Sequence, residues 1–350
     1  MPNVYFIPGG KDCCPEVLSG GARKLFQALL EREKITLEST VPLKVHFGEK
    51  GNRTYLKPAT YQGIIDFLAE KGVRSCYMET SVLYGGERFE RERHIRLAQA
   101  HGFTNLPIVI ADGAAGEEAI EIPLPHHHFH FKTCSIGKAF ADYPQIIVMS
   151  HFKGHMLAGF GGALKQLSMG FASKGGKMAM HLSVKPRIRN WKCKRCKVCL
   201  NRCNAGAITI GKRSCIDPGK CIGCGACFSI CPHKAISIVS LGGLWNALFK
   251  GRFFREKLAE YALASHSTHR NIYLNFAVAV TAGCDCEPRP MRPCVENIGI
   301  FASTDPVAID KACYDAVAAK GKVFKGSEQL AYAEKIGVGS QNYTLIKIEN

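Results

Sequence analysis

Two matching cysteine motifs constrain the fold of this chain more than any other feature. Three cysteines recur at every third residue and a fourth follows four residues later, first in CKRCKVCLNRC and again in CIGCGACFSIC. Each cysteine of the second motif lies 28 residues after its counterpart, which indicates an internal duplication. The two sets are Cys193, Cys196, Cys199 and Cys203, and Cys221, Cys224, Cys227 and Cys231.

This spacing predicts two [4Fe-4S] clusters. Three thiolates on one tight loop hold three irons of a cubane, and in two-cluster ferredoxins the fourth ligand comes from the other motif. Zinc knuckles and a disulfide set are the alternatives, but zinc sites usually use two separated pairs of ligands. We therefore assign Cys193, Cys196, Cys199 and Cys231 to one cluster, and Cys221, Cys224, Cys227 and Cys203 to the other.

The rest of the chain predicts an α/β fold with a mostly parallel sheet flanked by helices. Apolar runs alternate with helical stretches at 59–71 and 89–101, a pattern typical of a sheet that is covered on both faces. The predicted strands are 41–47, 73–80, 107–112, 145–150 and 272–282. We expect the first part of this domain at 1–186, an inserted α+β bacterial-type dicluster ferredoxin domain at 187–240, and a linker helix with the remainder of the α/β domain at 241–350.

Composition indicates a reducing environment and anionic partners. Eight of the seventeen cysteines belong to the cluster motifs, which predicts a cytoplasmic, anaerobic protein rather than a disulfide scaffold. No signal-peptide pattern and no apolar run of membrane-spanning length occurs, so we expect no membrane span. The formal charge of +17 suits an acidic electron carrier of the ferredoxin or flavodoxin type, or an anionic small molecule. No usual nucleic-acid-binding motif is present, so we expect no nucleic acid.

Polar side chains follow every predicted strand of the α/β domain. In an open α/β sheet, ligands bind outside the carboxyl ends of the strands. His151 and His155 are candidate acid/base catalysts because histidine titrates near neutral pH, and Lys153 lies between them. Candidate cofactor-binding residues at the other strand ends are His46, Cys284, Asp285 and Cys286, together with Lys44, which lies inside the first predicted strand.

A glycine-rich segment predicts an anion site. Gly159, Gly161 and Gly162 precede a helix that begins near Ala163, and backbone N–H groups at such a helix start bind anions. Lys165 lies in its first turn, so a phosphate-bearing cofactor such as a flavin would suit the loop. Tight helix packing is the alternative interpretation. The lack of a GxGxxG fingerprint argues against a dinucleotide site.

The Cys284-Asp285-Cys286 segment leaves several functions open. With Cys294 eight residues later, the pair would suit an additional metal, a redox dithiol, another cluster or a structural role. Its position at the end of a strand favours a role in the site.

Several segments together resemble one family. VHFGEKGNRTYLKP, ETSVLYGG, SHFKGHMLAGFGGALKQLSMG, CDC and GIFASTDPVAIDKACYD, with the two-cluster motifs, are similar to DUF362 iron-sulfur center proteins that carry a ferredoxin insert. The resemblance covers about Val41 to Asp315 and implies the clusters and the α/β core, while that family has no assigned reaction. The SHFKGH and GFGGALK segments also resemble part of the nickel-pincer lactate racemases.

These features lead to three functional hypotheses. In the first, a ferredoxin-linked oxidoreductase binds an anionic ligand or cofactor at the strand ends, and the clusters exchange electrons with that site. In the second, the chain is an electron carrier or docking protein without catalysis of its own. The third, an iron-sulfur protein that binds nucleic acid, has only the positive charge in its favour.

Overall fold

An eight-stranded sheet forms the centre of the protein. The computed structural model describes residues 1–10, 13–125, 130–182, 186–203, 205–221, 226–237 and 252–349. Five of the seven neighbouring pairs are parallel, and only the strand Gly299–Ser303 runs antiparallel to its two neighbours. Across the sheet the strands are Thr344–Lys347 (β16), Asn3–Pro8 (β1), Gly299–Ser303 (β15), Arg270–Ala277 (β14), Gln145–His151 (β7), Leu43–Lys44 (β2), Tyr77–Glu79 (β3) and Ile108–Ile110 (β4).

Helices cover both faces of this sheet. Alternate residues of β7 point to opposite sides: Ile147 and Met149 belong to one apolar core, and Val148 belongs to the other. The helices are Pro15–Arg32 (α1), Gln62–Glu70 (α2), Arg91–Ala100 (α3), Ala163–Ser168 (α4), Lys174–Leu182 (α5), Val198–Asn201 (α6), Ala226–Ile230 (α7), Arg252–Ser267 (α8), Pro306–Ala319 (α9) and Glu328–Lys335 (α10). The predicted fold, a mostly parallel sheet flanked by helices, is therefore confirmed.

All five predicted strands belong to the sheet, but their lengths differ from prediction. The run 41–47 contributes only Leu43–Lys44. The run 272–282 ends at Ala277, and Ala279 adopts a left-handed φ of 44°, so the chain turns there toward the strand ends. The strands β1, β15 and β16, which form one side of the sheet beyond β14, are not among the predicted strands.

Small two-stranded sheets surround the main sheet. Ala119–Pro123 (β5) pairs with Thr133–Gly137 (β6), and Lys153–His155 (β8) pairs with Gly159–Gly161 (β9). Within the described ranges, no helix is both long enough and apolar enough to cross a membrane.

The cysteine-rich segment repeats in structure as it does in sequence. Its first half contains Arg187–Ile188 (β10), α6 and Ile208–Thr209 (β11), and its second contains Cys215–Ile216 (β12), α7 and Ile236–Ser237 (β13). Each second-half element begins 28 residues after its counterpart, at 215, 226 and 236 against 187, 198 and 208. Because β10 pairs with β13 and β11 with β12, the two halves exchange strands around one small core.

Candidate functional site at the strand ends

Two adjoining cavities lie at the carboxyl ends of the central strands. The smaller is about 30 Å³ and the larger about 190 Å³, and both are lined by His46, His155, Lys165 and Gln166. Among the predicted site residues, those that line either cavity are His46, His151, Lys153, His155, Gly161, Gly162, Lys165, Cys284 and Cys286. Lys44, Gly159 and Asp285 do not line either cavity.

Asp285 is a buried carboxylate that holds two of the predicted catalytic residues. Its Oδ2 lies 2.9 Å from His151 Nδ1 and 2.6 Å from Lys153 Nζ. Burial by itself would raise the pKa of the Asp285 carboxyl, but Lys153 and His151 hold that pKa well below its usual range. The other His151 nitrogen, Nε2, donates to the Val278 carbonyl at 2.8 Å. With both ring nitrogens facing protein acceptors, His151 is better placed to fix Asp285 than to exchange a proton with a ligand.

Cys284 and Cys286 form a thiolate–thiol pair beside a lysine. The hydrogen bond from Cys286 and the charge of Lys165 hold the pKa of the Cys284 thiol well below its usual range, although the thiol is buried. Lys165 Nζ lies 3.4 Å from Cys284 Sγ. The same hydrogen bond and burial raise the pKa of Cys286, so Cys284 is the sulfur that loses its proton more easily. Such a pair suits nucleophilic or redox chemistry.

His155 lies close enough to this pair to form a metal site with it. Ligand atoms of His155, Cys284 and Cys286 all lie within 4.8 Å of one another. However, His155 Nδ1 accepts N–H groups from Ala158 at 3.0 Å and Leu157 at 3.3 Å. Burial lowers the pKa of His155 to about 3, so the neutral ring carries its proton on Nε2. Histidine ligands normally donate from their second nitrogen, so this geometry favours His155 as a hydrogen-bond donor near the sulfurs.

Several residues that sequence reasoning missed line the larger cavity. Lys177 Nζ donates to Thr80 Oγ1 at 2.6 Å, and burial lowers the pKa of Lys177 to about 8. Glu79 accepts from Lys44 Nζ at 2.7 Å, which explains why Lys44 is buried behind the cavity rather than exposed to it. The apolar part of the wall consists of Val82, Leu83, Met169 and Phe254.

Arg88 is another residue of the site that has no distinguishing signal in the sequence. It is 1% exposed and pairs with Glu49 at 3.0 Å, and its Nη1 donates to His46 Nε2 at 2.8 Å. Tyr84 joins this network by accepting from Arg88, and the Glu49 N–H donates to the Asp285 carbonyl at 3.0 Å. These contacts connect the loops after β2, β3 and β14 into one rigid wall.

The glycine-rich loop does not offer its helix start to a ligand, contrary to our expectation. The N–H groups of Ala163 and Leu164 donate to the carboxylate of Asp310, at 2.7 and 3.0 Å. The anion at this helix start is therefore a side chain of α9. Lys165 does lie in the first turn, but its ammonium group points to Cys284.

Gly159 is required for backbone packing, which supports the alternative interpretation of the loop. It has a φ of +89°, and a Cβ there would lie 1.8 Å from the Lys325 carbonyl oxygen. We expect Gly159→Ala to lower the free energy of unfolding by about 3 kcal/mol or more, because strain and overpacking add. Gly72→Ala is the control, since Gly72 also has positive φ but open space around it, and should cost about 1 kcal/mol. Equal losses in denaturant titrations of the two variants would contradict this explanation.

The cysteine motifs form a second candidate site. Cys193, Cys196 and Cys199 of the first motif line one cavity together with Cys231 of the second. Backbone N–H groups donate to sulfur at equivalent positions: Ala207 to Cys203 and Ala235 to Cys231, both at 3.3 Å. Cysteine sulfurs from both motifs around one space, with an N–H donor to Cys231, are an arrangement that suits a cubane cluster. Cys221 and Cys227 lie in the same segment, while Cys224 lies outside the described residues.

Comparisons with known proteins include one short match to a curated relative. A component of the ion-translocating oxidoreductase complex of Methanosarcina acetivorans is 49% identical over 47 residues. The match spans 13% of this chain and 18% of that protein, so less than a fifth of the curated relative is represented.

Two solved structures are similar to this chain at low sequence identity, and the sequence model of one family matches it. A structural-genomics crystal structure of a Thermotoga maritima protein has 12% identity and a TM-score of 0.45, covering 88% of this chain and 60% of that one. The lactate racemase apoprotein of Thermoanaerobacterium thermosaccharolyticum has 13% identity and a TM-score of 0.36, covering 79% and 51%. Scores this low support no argument about function. The sequence model of DUF362, described as a domain of unknown function, matches residues 41–315, and the chain therefore belongs to the DUF362 family.

Proposed function

We propose that the protein is an iron-sulfur oxidoreductase in which two [4Fe-4S] clusters serve a thiol-containing ligand site at the strand ends. Cys193, Cys196, Cys199 and Cys231 would hold one cluster, and Cys221, Cys224, Cys227 and Cys203 the other. Each cluster, when bound, supplies one-electron transfer. The short match to a component of an oxidoreductase complex supports a redox role.

The observation that carries the proposal is the Cys284–Cys286 pair at the cavity wall. Cys284 is 3% exposed, lines the smaller cavity, and lies beside Lys165. A buried thiolate that is paired with a thiol and an ammonium group is costly to maintain without chemical use. A purely structural cysteine in a reduced protein needs neither the lysine nor the second thiol.

The redox step that this pair supports is reversible disulfide formation. In the reducing direction the Cys284–Cys286 S–S bond breaks, two electrons enter from a ferredoxin- or flavodoxin-type carrier, and one proton is taken up at Cys286. Cys284 would stay a thiolate, because the hydrogen bond from Cys286 and the charge of Lys165 both lower its pKa. In the oxidising direction the same two electrons and one proton leave.

A small organic anion is the ligand class that suits the cavities. Lys165 and Lys177 provide positive charge, and Phe254 with Met169 provides an apolar wall. Ser150 lines the smaller cavity, and among the residues that the structure describes its Oγ has no hydrogen-bond partner, so a ligand could supply one. The volume of about 190 Å³ is below the roughly 300–1,000 Å³ typical of pockets for drug-sized ligands. This favours a small carboxylate or phosphate over the flavin.

Electron counting tests the proposal. After mild oxidation, anaerobic reductive titration of the wild-type protein should consume about four electrons, one for each cluster and two for the disulfide. Cys284→Ser and Cys286→Ser should each consume about two. Cys294→Ser is the matched control because Cys294 lies outside both cavities and its Sγ contacts the Val280 carbonyl, so it should consume about four.

Two outcomes would contradict this proposal. Consumption of about two electrons by every variant would favour the electron carrier without chemistry of its own. Stoichiometric zinc that disappears in Cys284→Ser would instead make the pair a metal site with His155, whose ligand atoms lie within 4.8 Å of one another.

A further inference from the structure

Positive charge is distributed unequally between the two halves of the cysteine-rich segment. Residues 187–237 contain eleven lysines and arginines and one acidic residue, Asp217. Nine of the eleven lie at 187–214, where there is no acidic residue, and only Lys220 and Lys234 lie at 215–237. Two four-thiolate clusters, each with a net charge of about −2, would reduce the total of +10 only to about +6.

The charge lies at the surface around one cysteine ligand. Lys194, Arg195, Lys197, Lys212 and Arg213 are all exposed, and we call these five residues the basic face. Arg195 Nη2 donates to the Lys212 carbonyl at 3.0 Å, so the two loops that carry the face are adjacent. Cys196, which lies in the middle of the first of these loops, is also exposed.

The second motif lacks the equivalent charges. The counterparts of Lys194, Arg195 and Lys197, 28 residues along, are Ile222, Gly223 and Gly225. The duplicated loops therefore keep the cysteines but differ in charge. This difference indicates that the surfaces around the two motifs have different roles.

A residue outside the basic face joins the cysteine-rich segment to the α/β domain. Arg202 Nη2 lies 3.6 Å from Glu90 Oε1, at the start of α3. Arg202 adjoins Cys203, a proposed ligand of the other cluster. One set of cysteines thus includes the exposed Cys196 within the basic face, and the other has a member next to Arg202, which contacts the α/β domain.

We propose that an acidic one-electron carrier protein docks on the basic face and exchanges electrons at the cluster of Cys193, Cys196, Cys199 and Cys231. This inference rests on the proposed clusters and adds the surface and the partner. Complementary charge steers a partner into encounter and raises the association rate by factors of 10 to 10³ at low salt. Because Cys196 is exposed within the face, a partner bound there lies beside a proposed ligand of that cluster.

Stopped-flow reduction of the cluster-loaded, full-length protein tests the proposal. The probe is a chemically reduced, acidic plant-type [2Fe-2S] ferredoxin. We expect Lys194→Glu/Lys197→Glu/Arg213→Glu to slow cluster reduction at least tenfold at about 10 mM salt, with the difference closing near about 0.5 M. The matched control is Lys24→Glu/Lys34→Glu/Lys71→Glu, which changes net charge equally at exposed sites of the α/β domain and should alter the rate less than about twofold.

Further measurements separate docking from other causes. Reduction by photoreduced deazariboflavin, a small neutral donor, should be equal in all variants. If the first triple variant loses iron, Lys212→Glu/Arg213→Glu replaces it, because these residues lie outside the cysteine loop and should still slow the ferredoxin reaction. Equal slowing by the control triple, or a wild-type rate that is independent of salt, would overturn the docking proposal. A wild-type protein without iron would instead overturn the proposed function.

Discussion

Replacing Cys231 and Cys227 together with alanine is expected to remove all iron, whereas replacing Cys231 and Cys199 should leave about four irons per chain. In the proposed assignment Cys231 and Cys199 serve one cluster, while Cys231 and Cys227 serve different ones. The shared cavity of Cys193, Cys196, Cys199 and Cys231 supports this exchange between motifs. Iron and acid-labile sulfide in anaerobically purified protein measure the outcome, with about eight irons expected for the wild type.

The two double variants give opposite results if each motif holds its own cluster. In that case loss of Cys231 and Cys227 would leave about four irons, and loss of Cys231 and Cys199 would remove all of them. Cys294→Ala, outside the motifs, should retain the full content. Zinc in place of iron in the wild-type protein would contradict both assignments.

Removal of the Asp285 carboxylate should destabilise the α/β domain by about 3–5 kcal/mol, the range for breaking a buried ion pair. Asp285 is 1% exposed, and its loss would leave Lys153 and His151 without their shared partner. Urea unfolding of Asp285→Asn, followed by circular dichroism, measures the loss. Asp285→Asn/Lys153→Met should recover part of it, because it removes one of the unpaired charges. A loss below about 1 kcal/mol, the size expected of an exposed pair, would contradict the buried network.

The same residue predicts the acid sensitivity of the fold. Because the pKa of Asp285 is lowered in the folded state, its contribution to stability is fully present above the unfolded value of about 3.9 and is lost as the pH falls through the folded value. The wild-type protein should therefore lose stability on acidification below about pH 4 more steeply than Asp285→Asn. Parallel curves for the two proteins would show that the carboxylate is not held by its cationic neighbours.

The general position of the site could be predicted from sequence because it follows from topology. Once strands 41–47, 145–150 and 272–282 are accepted as parallel neighbours, the residues after them must meet at one edge. His46, Lys153 and Cys284 do meet there. Their individual partners were not predictable, because each depends on a side chain far away in the chain.

Asp310 and Arg88 show why the contacts within the site could not be predicted from the sequence. The glycine pattern before Ala163 predicted a site for a ligand anion, but the group that accepts these N–H groups is the Asp310 carboxylate, 147 residues away from Ala163. Arg88 lies in the charged stretch GGERFERER, which has the composition of a solvated surface, yet it is buried against Glu49 and His46. No local pattern distinguishes a buried arginine from its exposed neighbours when the burial comes from loops that follow other strands.

The order of the strands also has a consequence for synthesis. β7 is buried along its whole length and pairs with β14, which follows the entire cysteine-rich segment in the chain. Until β14 emerges from the ribosome, the half-sheet of β7, β2, β3 and β4 has an open apolar edge, the kind of edge that pairs with other chains. Fragments that stop before Arg270 should therefore aggregate. During synthesis, both cysteine motifs emerge from the ribosome before β14 can pair with β7 and cover that edge.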